Sequence, residues 1–129
     1  MSEPSLSCLL SPVLYLIAVH SLIVGLILMV RPKKLMALTD LAEINEPFFP
    51  VQGGMFHIIM SVGYALAAYD LQYFYSLVIF AVLVKLIAFC FLLLYYFLGQ
   101  AKKIVLFSGI LDGVMGLVIL YFYFSCPNL

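Results

Sequence analysis

The sequence has few charged residues. Only 9% of its 129 residues are Asp, Glu, Lys or Arg, whereas 67% are apolar and the mean hydropathy is +1.24. A soluble domain has roughly a quarter charged residues and roughly half apolar ones. Because so few charged side chains cannot cover a water-facing surface, the composition excludes a soluble globular domain, a disordered tail and a secreted disulfide scaffold.

The charges that are present favour neither sign. Six basic residues balance six acidic ones, so the chain has no net field that would attract a charged partner. A nucleic-acid-binding protein is therefore excluded as well. An integral membrane protein is the class that remains.

Enzyme motifs are also missing from the sequence. It contains no Walker loop, nucleophile elbow, HExxH motif or dinucleotide fingerprint. Gly53-Gly54 lacks the strand and the downstream glycine that a phosphate-binding loop requires. No catalytic residue is therefore named, and a non-enzymatic role is favoured over enzymatic chemistry, which stays open.

Long apolar runs dominate the chain. A transmembrane helix needs roughly 20 apolar residues, and four runs qualify, at 9–30, 51–69, 75–98 and 104–124. In lipid the backbone must satisfy its own hydrogen bonds, so runs of this length predict helices rather than strands. We predict an all-α integral membrane four-helix bundle that forms a single domain over residues 1–129.

The basic residues between the runs predict the orientation. Arg31, Lys33 and Lys34 follow the first run, and Lys102 and Lys103 separate the third from the fourth, whereas the tails and the 70–74 turn contain no Lys or Arg. By the positive-inside rule, we expect both basic loops in the cytoplasm and both termini outside. The first run is too long for the apolar part of a signal peptide, so we expect it to be retained.

The connection between the first two spans predicts a short amphipathic helix on the membrane surface. From Lys34 to Ile44, apolar residues recur at every third position, and Asp40 and Glu43 lie on the other side. Pro47 and Pro50 are then expected to turn the chain back into the bilayer.

Small residues predict where the helices pack, because helix association in lipid depends on close approach. The fourth span carries such residues at spacings of three and four, the second span carries Gly63 with Ala67, and the first carries Ser21 with Gly25. The same faces could also pack between subunits, so a homo-oligomer stays open. The predicted packing positions are Gly63, Gly109, Gly113 and Gly116, with Ser108 and Asp112 on the same side of the fourth span.

Each span contains one ionisable residue, namely His20, His57, Lys85 and Asp112. A charge at mid-bilayer costs roughly 3 kcal/mol on insertion scales, so such residues usually face the interior of a bundle and often mark a functional site. We therefore predict that these four residues face a shared interior and form a ligand-binding layer.

The register of the last two spans predicts a pair between Lys85 and Asp112. If the fourth span runs antiparallel to the third from the 99–103 turn, Asp112 lies at the level of Cys90. Lys85 then lies roughly 7 Å further from the turn along the helix axis. A lysine side chain can span most of that distance. Such a pair either clamps the two helices or handles a ligand or a proton, and both roles are open.

The histidines and cysteines allow further interpretations. His20 and His57 on different helices could ligate haem axially, although two histidines without another motif do not single haem out. Adding Asp112 and Cys90 gives a mixed metal site, but no two ligands share a helix at a diagnostic spacing. A hydrogen bond between helices, or the lining of a bound molecule, is the favoured role of the histidines.

The two cysteines outside the spans raise one more prediction. Cys8 and Cys126 both fall near the end predicted to face outward, and they could form a disulfide if that compartment is oxidising. The third cysteine, Cys90, lies within a span and is interpreted as a small core residue.

Several of these features together resemble a known family. Gly54-Met55, Gly63-Tyr64, Asp70, Lys85 and Asp112 form a pattern similar to that of the DoxX-like group of small four-helix bacterial membrane proteins. The resemblance covers the last three spans and implies four spans in a bacterial inner membrane. Some relatives are linked to quinone-coupled sulphur oxidation or to redox stress complexes, and no catalytic residue carries over.

The sequence therefore supports three hypotheses about function. The favoured one is binding of a hydrophobic molecule with a polar head, such as a quinone or a lipid, at the buried polar layer, beside a larger membrane complex. The second is a redox or proton-relay function of the same residues, and the third is a purely structural membrane subunit.

Overall fold

The computed structural model describes residues 9–39, 47–99 and 101–126, and these form five helices and no strand. Four of the helices are long and apolar enough to cross a membrane. The predicted all-α architecture with four spans is confirmed, as expected of a multi-pass membrane protein. The helices are α1 (Leu10–Val30), α2 (Pro32–Thr39), α3 (Phe48–Tyr69), α4 (Tyr75–Phe97) and α5 (Lys103–Ser125).

The largest difference from the predicted boundaries is at the start of α3, which begins at Phe48 rather than at Val51. Pro50 lies in the first helical turn, where backbone N–H groups have no partner within the helix, so its missing N–H costs nothing there. The Val51 N–H donates to the Pro47 carbonyl at 3.0 Å. Residues 48–50 of the segment predicted to turn the chain are therefore already helical, and Pro47 is the N-cap.

The predicted amphipathic helix is described only in its first half. The observed α2 begins at Pro32, two residues before the predicted start at Lys34, and residues 40–46 lie outside the described residues. It contacts α1, α3 and α5. Helix α2 therefore lies across one end of the bundle, which we call the basic end because Arg31 and Lys103 also lie there.

At the opposite end, α3 and α4 are joined by a tight turn over residues 70–74, and we call this the turn end. The Asp70 carboxylate accepts a hydrogen bond from the Tyr73 backbone N–H at 2.9 Å. At the basic end, α4 is terminated by Gly99, whose φ of +72° is readily adopted only by glycine.

The spanning helices form two antiparallel pairs, α1 with α3 and α4 with α5, and contact between the pairs is less extensive. The first pair is closest at two glycines: a methyl group added to Gly25 would lie 2.7 Å from the Gly54 carbonyl oxygen, and one added to Gly54 would lie 2.7 Å from the Gly25 carbonyl oxygen. Ser11 Oγ also donates to the Ala68 carbonyl at 2.7 Å.

Gly63 is not at this contact, and its predicted packing within the bundle is wrong. A methyl group added there would meet no atom of the described residues within 4 Å. The reason is geometric, because Gly54 rather than Gly63 lies on the face of α3 that meets Gly25. Ala67, which the sequence grouped with Gly63, is fully buried.

The second pair packs through the glycines of α5. Gly109 lies against Leu92, Gly113 against Phe89, and Gly116 against Leu86 and Lys85. A methyl group added to any of these glycines would lie 2.7–3.2 Å from an atom of the α4 residue opposite. All three glycines are buried. Ser108, by contrast, is exposed and lies off this face.

A single apolar core joins the two pairs. Its fully buried members include Leu14 of α1, Ala67 of α3, Val78 of α4 and Ile119 of α5. The buried members lie towards the turn end, and the partly buried residues packed against them extend as far as Leu86 in the middle of α4. The core therefore occupies one half of the bundle.

Candidate functional site

The centre of the candidate site is a contact between α4 and α5. Lys85 Nζ donates a hydrogen bond to Asp112 Oδ1 across 2.6 Å, and only 5% and 15% of the two side chains are exposed. Gly116 leaves room beside the Lys85 Cβ, because an added methyl group would lie 3.2 Å from that atom. The lysine side chain can therefore extend along α5 to Asp112, one turn before Gly116.

Helix α3 contributes an aromatic ring to this contact. The Lys85 ammonium lies 5.7 Å from the centroid of the Tyr64 ring, and Tyr64 is only 2% exposed. A cation over an aromatic face at this distance is attracted by the ring quadrupole, and more strongly when water is excluded. Tyr64 thus connects the first helix pair to the lysine of the second.

Helices α1 and α3 are joined by a hydrogen bond at about the same depth in the bundle as the contact between Lys85 and Asp112. Ser21 Oγ donates to the His57 carbonyl at 2.9 Å and lies 3.3 Å from His57 Nδ1. A hydroxyl has one proton, so the contact with Nδ1 is a hydrogen bond when the imidazole donates from that nitrogen. In this tautomer Ser21 Oγ accepts a hydrogen bond from the His57 Nδ1–H group and donates one to the His57 carbonyl.

His20, next to Ser21, has no such partner. Its Nδ1 atom is buried, and no hydrogen-bond partner lies among the described residues. Contacts between the helices connect these positions. Ser21, which follows His20 on α1, bonds to His57 of α3, and Tyr64 of α3 contacts Lys85, which bonds to Asp112 of α5. We call His20, His57, Lys85 and Asp112 the polar cluster.

The polar cluster lies on the basic-end side of the apolar core. On α4, Val78, Ala81 and Val82 belong to the core, and Lys85 follows about one turn later. On α1, the core residues Ile17 and Ala18 directly precede the cluster in the same way. The cluster is therefore covered by apolar side chains on the side of the turn end.

No group of three His, Cys, Asp or Glu side chains in residues 9–39, 47–99 and 101–126 is close enough to hold a metal ion. Cys90 is free and exposed, so it is not the core residue that the sequence predicted, and the mixed metal site with Asp112 is not assembled. Cys126 is buried. Cys8 lies outside the described residues, so its disulfide with Cys126 stays a prediction.

Two contributors to the site were not recognised from the sequence. Tyr64 was included only in the family pattern, although a tyrosine in the middle of a span, away from both interfaces, is a signal that it meets a polar group. Ser21 was predicted as a small packing residue, and its position beside His20 could have indicated a hydrogen-bonding role.

The arrangement combines hydrogen-bond donors, acceptors and an unpartnered imidazole nitrogen in an apolar surrounding. Such a site can hold a polar group deep in the membrane, and it can also hold a proton. The resemblance to the DoxX-like group stays a prediction from the sequence. The chain matches no protein-family model, no curated protein and no solved structure.

Proposed function

We propose that this protein binds a hydrophobic molecule with a polar head group, such as a quinone or a lipid, and that the head group lies on the polar cluster. In this role the protein acts as a small accessory subunit beside a larger membrane complex. The basic loops face the cytoplasm, and the membrane is a bacterial inner membrane.

The observation that carries this proposal is the buried Nδ1 atom of His20. A polar atom without a hydrogen bond in an apolar interior costs about 1–3 kcal/mol. A structural bundle gains nothing from this cost, because an apolar residue at the same position would pack without it. A ligand head group that hydrogen-bonds to His20 would recover the cost on binding.

Lys85 supports the same proposal. An ammonium group has three N–H donors, and Asp112 accepts one of them. Lys85 is only 4% exposed, so bulk water does not surround the remaining donors. A carbonyl or hydroxyl oxygen of a ligand would be a suitable acceptor.

Identification of the molecules that copurify with the protein tests the proposal. The full chain is purified in mild detergent, and bound small molecules are extracted and compared with those of a Lys85→Met/Asp112→Asn variant by mass spectrometry. We expect one class of quinone or lipid to be enriched at near-stoichiometric amounts in the unmodified protein and depleted in the variant.

Ser108→Ala is the matched control, because Ser108 lies one turn from Asp112 on α5 but is exposed. This variant should keep the bound molecule. The proposal is rejected if the unmodified protein carries no enriched molecule, or if the double variant is folded and carries the same amount.

A proton relay is the second candidate, and the 2.6 Å contact between Lys85 and Asp112 favours it. A proton can pass between two groups joined by a hydrogen bond, and the two histidines lie in the same interior. Proton flux into liposomes that contain the protein would fall in Lys85→Met and Asp112→Asn. The candidate is eliminated if the unmodified protein gives the same proton flux as both variants, or the same flux as protein-free liposomes.

A further inference from the structure

The two helix pairs share a core on only one side of the polar cluster. The core that joins all four spanning helices lies towards the turn end. Towards the basic end, the close glycine contacts lie within a pair, as between Gly25 and Gly54 or between Gly109 and Leu92. The polar cluster thus lies where the two pairs cease to share a core.

The polar cluster is also deep in the bilayer. Asp112 follows Lys103, the first residue of α5, by nine residues, which corresponds to roughly 14 Å along the helix axis. The hydrocarbon core of a bilayer is roughly 30 Å thick. A head group on the cluster would therefore lie near the middle of the membrane.

The central pair of the cluster has no net charge. Lys85 and Asp112 together are neutral whether the proton is on the amine or on the carboxylate. A charged head group placed here would be near one attractive and one repulsive charge, or near neither after proton transfer, so the pair as a whole would not neutralise it. Its charge would be buried without compensation in an apolar medium, which is costly.

We infer that the head group bound here is uncharged and bears carbonyl or hydroxyl oxygens, and that its apolar tail extends between the two helix pairs towards the basic end. This inference rests on the proposed function and specifies its ligand class. Carbonyl and hydroxyl oxygens accept from Lys85, and either group pairs with His20 Nδ1 in the appropriate tautomer. Phospholipid head groups are excluded by their charge and by the depth of the site.

Competition between matched probes tests the inference. The full chain in dodecyl maltoside is titrated with dioctanoylglycerol and with dioctanoyl phosphatidic acid, which share their acyl chains, and with decylubiquinone. Native mass spectrometry measures the bound fractions. We expect at least one neutral probe to bind about tenfold more tightly than phosphatidic acid, because the charge of phosphatidic acid would be buried without compensation.

The two neutral probes distinguish the sources of the oxygen. Preference for decylubiquinone indicates a ring carbonyl, and preference for dioctanoylglycerol indicates a hydroxyl or ester head. Either result supports an uncharged head group.

Asp112→Asn provides a reversal of selectivity. The variant leaves the Lys85 ammonium without a counter-charge, so we expect its preference to shift towards phosphatidic acid by about tenfold or more. Ser108→Ala should keep the selectivity of the unmodified protein. If Asp112→Asn does not fold, the probe preference of the unmodified protein still decides the question.

Two results would overturn the inference. One is phosphatidic acid binding to the unmodified protein as tightly as the neutral probes, and the other is no binding of any probe. Neither result rejects the proposed function, which depends on the copurified extract. A charged lipid in that extract would contradict the head-group class while leaving ligand binding at the cluster intact.

Discussion

Lys85 and Asp112 are joined by a 2.6 Å hydrogen bond although they lie at different levels of neighbouring helices. The contact of Gly113 with Phe89 places Asp112 opposite Cys90, roughly 7 Å from the level of Lys85 along the helix axis. The lysine side chain closes that distance. The hydrogen bond therefore crosses the α4–α5 interface diagonally and opposes sliding of one helix along the other.

Removal of both partners should destabilise the protein by less than the two separate removals add up to. Lys85→Met leaves a buried carboxylate without its counter-charge, and we expect the free energy of unfolding to fall by about 3–5 kcal/mol. Asp112→Asn should have a smaller effect in the same direction because the amide still accepts a hydrogen bond. The double variant should lose less than the sum of the single variants. Reversible unfolding in mixed micelles measures all three values.

Ser108→Ala is the control for this cycle, and its effect should stay within about 0.5 kcal/mol because the side chain is exposed. Additive effects of the two single substitutions would mean that Lys85 and Asp112 do not stabilise one another, despite their contact.

The contact between Gly25 and Gly54 predicts an asymmetry among the glycines of α3. Gly54→Ala places a methyl group 2.7 Å from the Gly25 carbonyl oxygen, so the helices must separate, and we expect a loss of about 1–3 kcal/mol in unfolding free energy. Gly63→Ala meets no atom of the described residues within 4 Å. It should stabilise the helix by about 0.5–1 kcal/mol.

The same unfolding measurement in mixed micelles compares the two variants. Equal losses for Gly54→Ala and Gly63→Ala would contradict the packing of α1 on α3, because both substitutions change the intrinsic helix propensity by the same amount.

Much of the fold was predictable because the membrane leaves the backbone few alternatives. Apolar runs long enough to span the bilayer must be helical, and the short 99–103 connection fixes the register of α5 against α4. The level of Asp112 relative to Cys90 followed from that register alone. Its contact with Lys85 required in addition only the length of a lysine side chain.

The choice between helix faces was not predictable to the same degree. Gly63 and Gly54 are both small residues within α3, and composition does not reveal which of them meets α1. That depends on the rotation of α3, which is set by the contacts of the whole face. The exposure of Cys90 depends on helix rotation in the same way. The same limit applies to Tyr64, since its ring reaches Lys85 only for one rotation of α3 relative to α4.

The hydrogen bond of Ser21 with His57 predicts a modest stabilisation of the α1–α3 pair. Hydrogen bonds between transmembrane helices contribute on average about 0.6 kcal/mol, so Ser21→Ala should lower the free energy of unfolding by about that amount. Ser61→Ala is a suitable comparison, because Ser61 Oγ donates to the Ile58 carbonyl within α3 and, among the described residues, forms no hydrogen bond with a second helix. A shift of the His57 ring resonances in Ser21→Ala but not in Ser61→Ala would locate the effect.

The basic residues at one end of the bundle predict which lysines a membrane-impermeant amine reagent reaches. Lys33, Lys34, Lys102 and Lys103 are exposed, and the positive-inside rule places them in the cytoplasm. In inverted vesicles we expect these four residues to be labelled, and in intact spheroplasts we expect none of them to be. Lys85 should stay unlabelled in both, since it is 4% exposed. Peptide mass spectrometry identifies the labelled sites.

Tyr73→Lys provides the complementary probe for the 70–74 turn, where Tyr73 is 78% exposed. One lysine there, against five basic residues in the loops at the other end, leaves the charge bias in favour of the same orientation. The new lysine should be labelled only in intact spheroplasts. Labelling of Lys33 and Tyr73→Lys from the same side would contradict a bundle whose basic end and turn end lie on opposite faces of the membrane. If Lys33 were labelled only in intact spheroplasts and Tyr73→Lys only in inverted vesicles, the orientation would be the reverse of the predicted one. The fold would be unaffected, because helix packing does not depend on which face of the membrane is cytoplasmic.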